Sequence, residues 1–188
     1  MADSVETIYE GKFLRVRRKG HWEYVERRKV SGIVGIVAIT PAGKLILVEQ
    51  FRAPLGRDVI ELPAGLAGDV AGQETEEMAN AARRELLEET GYEAADMVEV
   101  AEGPPSAGLS TEVITLFRAT GLKKTGDGGG DASEKITVHE VPLTDVREWL
   151  HAQAAAGKAI DIKVWAGLYF VSGVVSVETA KEGGKKRR

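Results

Sequence analysis

The sequence predicts an α/β protein of the α+β kind, in which a mixed or antiparallel sheet packs with a few helices. Three observations carry this. Eight segments alternate apolar with polar residues or run through β-branched ones, turn residues separate them, and three stretches place apolar residues at helical spacing. A chain of 188 residues, 43% hydrophobic and 29% charged, is long enough for one sizeable core and short for two. One domain over residues 1–180 is therefore expected.

In chain order, strands are expected at Phe13–Arg17, Trp22–Val30, Ile33–Ile39, Leu45–Gln50, Val59–Leu62, Met97–Ala101, Glu112–Ala119 and Ile136–Val141. Lys19-Gly20, Pro41-Ala42-Gly43 and the Gly-rich Thr125–Asp131 supply turns. The clearest helix is Thr75–Thr90, with Met78, Ala81, Ala82, Leu86 and Leu87 as its apolar positions. Glu76 and Glu77 fall in its first turn, where the helix dipole favours acids, and Gly91 is its stop. A second helix is expected at Asp145–Ala155 behind a Thr144 cap. A third, at about Asp161–Val175, carries Val164, Trp165, Leu168, Tyr169 and Phe170 and completes the core or makes a dimer contact.

Composition excludes several classes. No run of 18 apolar residues offers a membrane span, and Met1–Glu10 carries acids where a signal peptide would carry lysines, so a cytoplasmic protein is expected. With no cysteine and only His21, His139 and His151, thiol chemistry is ruled out and any metal would be held by oxygens. The 29 acids and 25 bases give a net charge of −4, but Lys181–Arg188 holds five bases and one acid. The remaining body, 20 bases against 28 acids, stands at −8 and is a poor partner for nucleic acid. Residues 181–188 are expected to be a solvated, disordered end, with polyanion binding as the alternative.

Arg83-Arg84-Glu85-Leu86-Leu87-Glu88-Glu89-Thr90-Gly91-Tyr92 is the most informative segment. Glu85, Glu88 and Glu89 stand at i, i+3 and i+4, so a helix sets all three on one face. Like charges so placed repel by roughly a few tenths of a kcal/mol per pair, and a cation on that face reverses the sign. Carboxylates completed by water and substrate phosphate are what Mg²⁺ prefers. The alternative is a solvated acidic face with Arg83 and Arg84 as intrahelical partners.

The segment resembles the signature of the Nudix hydrolases: Gly, five residues, Glu, seven residues, then Arg-Glu-aliphatic-any-Glu-Glu-any-Gly-aliphatic. Arg84 to Gly91 fits the second half, Tyr92 takes the closing aliphatic place, and seven residues separate Glu76 from Arg84. The opening glycine departs, because its register falls on Val70. Gly65, in Glu61-Leu62-Pro63-Ala64-Gly65, is its counterpart if Leu66–Thr75 holds about five extra residues. The resemblance implies a mixed sheet sandwiched between helices, preceded by antiparallel N-terminal strands in residues 1–30 that form a homodimer in relatives. It also implies Mg²⁺, with Mn²⁺ as a substitute, held by Glu85, Glu88, Glu89 and the Ala64 carbonyl, while Arg84 orients the glutamates and Glu88 assists catalysis.

Flanking segments resemble the branch that hydrolyses ADP-ribose and other nucleoside diphosphate sugars. Gln50-Phe51-Arg52 ahead of Glu61-Leu62-Pro63-Ala64-Gly65 implies that Arg52 approaches the diphosphate. Upstream, Trp22 is either a stacking partner for the base or a core or interface aromatic, and Arg27 or Arg28 meets a phosphate. In Pro104-Pro105-Ser106-Ala107-Gly108, Ala107 replaces the branch's proline, which weakens ADP-ribose relative to other nucleotide sugars. Glu112 is a sugar or metal-water contact, or an ordinary strand-edge acid. Glu134, ahead of Ile136-Thr137-Val138-His139, is by resemblance the general base; otherwise it is a solvated acid on a mobile loop. GDP-mannose or a nucleoside triphosphate remains an alternative substrate, and a non-catalytic nucleotide-sugar sensor is the alternative from another class.

Overall fold

The computed structural model describes residues 4–69, 72, 74–130 and 135–171; Glu134 and the basic tail 181–188 lie outside these residues. Three antiparallel strands open the chain, β1 (Val5–Glu10), β2 (Leu14–Lys19) and β3 (Trp22–Arg27). They are followed by β4 (Gly32–Ala38), β5 (Lys44–Arg52), β6 (Arg57–Glu61), β7 (Ala64–Ala67) and helix α1 (Met78–Thr90). Then come β8 (Tyr92–Glu93), β9 (Asp96–Gly103), β10 (Ile114–Thr120), β11 (Lys123–Lys124), β12 (Thr137–Pro142), α2 (Val146–Ala155), β13 (Ala159–Ile160) and α3 (Ile162–Val171).

Two four-stranded sheets form the centre, in the orders β7-β4-β10-β9 and β12-β5-β6-β13. Each is mixed: β4 and β10 are parallel in the first, β6 and β13 in the second, and the other pairs are antiparallel. The expected mixed sheet between helices is what the chain forms. Along β4, Val34, Ile36 and Ala38 join Ala81, Ala82 and Leu86 of α1 and Phe117 in one cluster. Val37 turns to a second cluster with Leu45, Leu47, Ile60, Leu150 of α2 and Val164 of α3. Both faces of β4 are covered, so its sequence runs apolar without alternating.

The structure corrects several details. Helix α1 begins at Met78, and Glu77 stands before it in extended backbone, so neither Glu76 nor Glu77 lies in the first turn. Glu76 is drawn instead into an ion pair with Arg84, a stronger attraction for a part-buried carboxylate than a helix end. Leu87 does not share the buried face of Leu86: it is 39% exposed, because one residue along a helix turns the side chain by about 100°. Asp145, not Thr144, occupies the cap position of α2. Strand β1 arises in the acidic N-terminus, where the resemblance implies strands but periodicity marks none, and β8, β11 and β13 are two residues each, too short for periodicity to register. Among the described residues no helix is long and apolar enough to cross a membrane.

Tyr92, the closing residue of the signature, ties the end of α1 to the second sheet. Its buried hydroxyl donates to Glu140 Oε1 on β12 at 2.6 Å. Burial and that carboxylate push the Tyr92 phenol up to about 12. The Tyr92 hydroxyl, with Lys44 beside it, holds the Glu140 carboxyl below its ordinary range. A depressed carboxylate contributes stability above its unfolded pKa and loses it as pH falls through the folded value. Tyr92→Phe is expected to cost about 1 kcal/mol at neutral pH. The deficit should shrink on acidification below the carboxylate range, and urea melts against pH, with NMR titration of Glu140, check both.

Candidate active site

Helix α1 lies against β7 and β4, and that packing presses its acids onto the β7 backbone. The contact is closest at Gly65, where an added Cβ would stand 1.9 Å from the Glu85 carboxyl carbon. The Ala64 N–H donates to Glu89 Oε2 at 3.0 Å, and Glu89 is only 3% exposed. Arg84 organises the rest. Its Nε and Nη2 donate to Glu76 at 3.2 and 3.1 Å, its Nη1 donates to Glu85 at 2.8 Å and Glu88 at 3.2 Å, and its Nη2 reaches the Leu66 carbonyl at 2.9 Å. The guanidinium pKa rises chiefly through Glu76, and Glu76 is lowered by the same hydrogen bond. Burial dominates at Glu85. It pushes the carboxyl up to about 7 against the pull of Arg84, and the nearby charges of Glu88 and Asp69 add to the rise.

The other end of the helix is closed by backbone. Gly91 takes a left-handed conformation (φ 73°) and its N–H returns to the Leu87 carbonyl. The N–H groups of Gly129 and Gly130 donate to the carbonyls of Glu89 and Glu88 at 2.8 and 3.1 Å. The last carbonyls of a helix need such donors. Sequence reasoning assigns this glycine run to a turn; within the described residues 126–130 it also caps the carboxylate helix.

The donor chemistry fits a hard divalent cation, since every candidate ligand is an oxygen and the largely buried Glu85 is joined on its helix face by Glu88 and Glu89. Among the described residues no three acids converge into a ready-made cage. Arg84 holds Glu85 and Glu88, and the Ala64 N–H holds Glu89.

Beside β7 opens a cleft of about 480 Å³ whose wall includes Arg27, Arg52, Glu61, Ala64, Glu89 and Glu112. Arg52 forms a fork with Glu61, Nε to Oε1 at 2.5 Å and Nη2 to Oε2 at 2.8 Å. Arg27 Nε donates to Glu112 Oε1 at 2.8 Å, joining β3 to the segment before β10. A second cleft of about 460 Å³ shares Arg27 and Glu112. Trp22 and Arg28 are not brought to the first cleft. Trp22, at the far end of β3 from Arg27, is 57% exposed beside His21, and Arg28 turns to Glu10 and the Gly11 carbonyl. Sequence reasoning gives no role to Glu61, although an acid inside the apolar run Val59–Leu62, two residues from Val59, is the signal that could have found it.

A NUDIX domain model matches residues 31–161. The chain belongs to the Nudix hydrolase family. Among its relatives, this Nudix hydrolase is 35% identical to the methanol dehydrogenase activator of Bacillus methanolicus, over 77% of this chain and 80% of that one. It is 37% identical to the ADP-ribose pyrophosphatase of Bacillus subtilis, over 62% of this chain and 61% of the relative. It is 31% identical to the ADP-sugar pyrophosphatase of Mus musculus, over 88% and 84%. The crystal structure of an ADP compounds hydrolase shares the fold, with a TM-score of 0.59 at 22% identity over 80% of this chain and 93% of that one. Divalent metals are general in the Nudix family.

Two outcomes follow from the Glu85 site. Its carboxyl binds a proton more firmly folded than unfolded, so its ionisation costs stability as pH rises from the ordinary carboxylate range through about 7. In metal-free buffer, the melting temperature of Glu85→Gln relative to the parent should therefore be higher at about pH 8 than at about pH 5. Gly65→Ala should displace the Glu85 carboxylate and cut turnover by about tenfold or more while far-ultraviolet circular dichroism stays unchanged.

Proposed function

We propose that this Nudix hydrolase cleaves the P–O–P linkage of ADP-ribose or a related nucleoside diphosphate sugar, releasing a nucleoside monophosphate and a sugar phosphate. One observation carries the reading: a single cleft is lined by Arg52 and Arg27 together with Ala64 and Glu89, so cations suited to phosphate share a cavity with an acid of the carboxylate helix. The names of the Bacillus subtilis and mouse relatives agree with it.

In this reading Glu85, Glu88, Glu89 and the Ala64 carbonyl hold Mg²⁺, or Mn²⁺ in its place, which when bound neutralises the diphosphate and polarises its phosphoryl oxygens. The chain's own residues do the remainder. Arg84 keeps the acids in place, and Arg52, steadied by Glu61, offers its guanidinium to non-bridging oxygens. Water attacks one phosphorus in line and the bridging P–O bond breaks. Glu134 takes the water's proton. Arg27 and Glu112 contact the substrate arm, whereas Arg28, held by Glu10 and the Gly11 carbonyl, takes no part in this cleft. Trp22 stacks on a base in the cleft of a second copy, within a homodimer formed through residues 1–30; exposed Ile8, Tyr9, Phe13 and Leu14 give that surface its apolar character. The substrate is a small anion, with neither nucleic acid nor membrane as partner, in a cytoplasmic protein.

GDP-mannose is the second reading: by the resemblance Ala107 stands where the ADP-ribose branch carries proline, which weakens ADP-ribose relative to other nucleotide sugars. A panel of nucleotide sugars and nucleoside triphosphates with product analysis decides. Nucleoside monophosphate and sugar phosphate are expected, and predominant pyrophosphate release would sink the reading. Glu89→Gln is expected to lose about a hundredfold or more in metal-dependent turnover. Glu134→Gln should lose turnover with KM little changed.

A further inference from the structure

A groove of about 440 Å³ opens between α2 and α3 and shares no residue with the cleft. Helix α2 supplies Arg147 and His151 at i and i+4, and α3 supplies Trp165, Leu168 and Tyr169 at i, i+3 and i+4, so each helix gives the groove a single face. The apolar contacts beneath fix the spacing of the two walls. Leu150 of α2 and Val164 of α3 are fully buried in one cluster, and Trp165 and Leu168 pack against it. The walls touch where the His151 ring meets Trp165, at a centroid distance of 5.8 Å and a tilt of 44°. Phe170 stands edge-on to Tyr169 at 5.3 Å, which steadies the Tyr169 ring although it is 46% exposed.

The groove differs from the cleft in how its charge is held. In the cleft Arg27 and Arg52 are each bound to a carboxylate, Glu112 and Glu61. In the groove no carboxylate stands among the described lining residues, and the Arg147 guanidinium makes no ion pair or hydrogen bond with any of the described residues. Its five N–H donors are open to an anion. A guanidinium beside indole and phenol rings suits a flat ring that carries a phosphate: the ring stacks on the aromatic faces while the fork takes two phosphate oxygens. About 440 Å³ lies in the range of small-molecule sites and gives room for a nucleotide rather than a single small ring. With no lining acid to hold a divalent ion, Arg147 meets the phosphate by itself, which favours one phosphate over a chain of them.

We propose that the groove between α2 and α3 is a second, metal-independent binding site that takes a nucleoside monophosphate, with the base against Trp165 and Tyr169 and the phosphate on Arg147. The site is separate from the cleft and does not depend on the reaction assigned there. A nucleoside monophosphate is also what the proposed hydrolysis releases, so the groove gives that product a place to bind outside the cleft.

Equilibrium dialysis of the full chain against AMP in EDTA tests the site, with inorganic phosphate and adenosine as separate probes. The parent should bind AMP more tightly than either fragment, and the affinity should fall as salt rises. Arg147→Gln should bind AMP about tenfold more weakly, with an unchanged melting temperature because the side chain is exposed. Arg147→Lys should recover part of the loss. Trp165→Leu should also weaken binding by about tenfold through lost stacking, and melting curves report separately whether the helices stay packed. Arg52→Gln, altered in the cleft, should bind AMP as the parent does. The proposal is overturned by parent protein that binds no AMP without metal, by Arg147→Gln that binds as tightly as the parent, or by loss of binding in Arg52→Gln. A change in the sedimentation of Arg147→Gln assigns the groove to a second copy of the chain and overturns it as well.

Discussion

Arg84 holds this site in shape, and the physical problem it addresses is charge. Helix α1 brings Glu85, Glu88 and Glu89 to one face, and the packing of that face on β7 removes much of the water that would otherwise screen them. A guanidinium can satisfy several carboxylates at once because its donors are planar and fixed in direction. Arg84 uses that geometry to bind Glu76 ahead of the helix, Glu85 and Glu88 on it, and the Leu66 carbonyl on β7. The same residue therefore joins helix to sheet and keeps the acids apart from one another. Glu85, pushed up to about 7 by burial, shows that this compensation is incomplete.

Backbone proximity is the second constraint, and it explains two glycines, Gly65 on the strand beneath the helix and Gly91 at its end. At Gly65 any side chain would occupy the space of the Glu85 carboxylate. At Gly91 the left-handed turn brings the chain so near Gly126 that a Cβ would fall 2.1 Å from its carbonyl oxygen. The approach lets Gly129 and Gly130 donate to the carbonyls of Glu89 and Glu88. Those donors satisfy the last helical turn, from which Glu88 and Glu89 project, so the glycine run steadies the acids from behind.

The cleft shows how an acidic protein can receive an anionic substrate. A body at −8 repels a diphosphate at long range, so attraction must be local. Arg27, Arg52 and Lys163 each enter the cleft beside a carboxylate, Glu112, Glu61 and Asp161 respectively. Pairing keeps these cations ordered and reduces the cost of burying them, and it also tempers the field that the substrate meets.

The sequence by itself determined the kind of elements, the carboxylate helix and the family, because these depend on local periodicity and on fixed spacings within one segment. Glu85, Glu88 and Glu89 at i, i+3 and i+4 share a face in any helix. Only the tertiary structure decided which acids became buried and which cations faced them. Glu61, Asp161 and Lys163 come from separate strands and a helix start, joined by the pairing of β6 with β13, and no spacing in the chain encodes that meeting. Leu86 and Leu87 are both apolar positions of the helix, and only the sheet contacts decided that Leu86 is buried and Leu87 is not. Trp22 and Arg28 lie on the expected strand region, yet the three-stranded N-terminal sheet turns them away from the first cleft. Pattern reports which way a residue points relative to its own element, whereas the docking of elements decides what it meets.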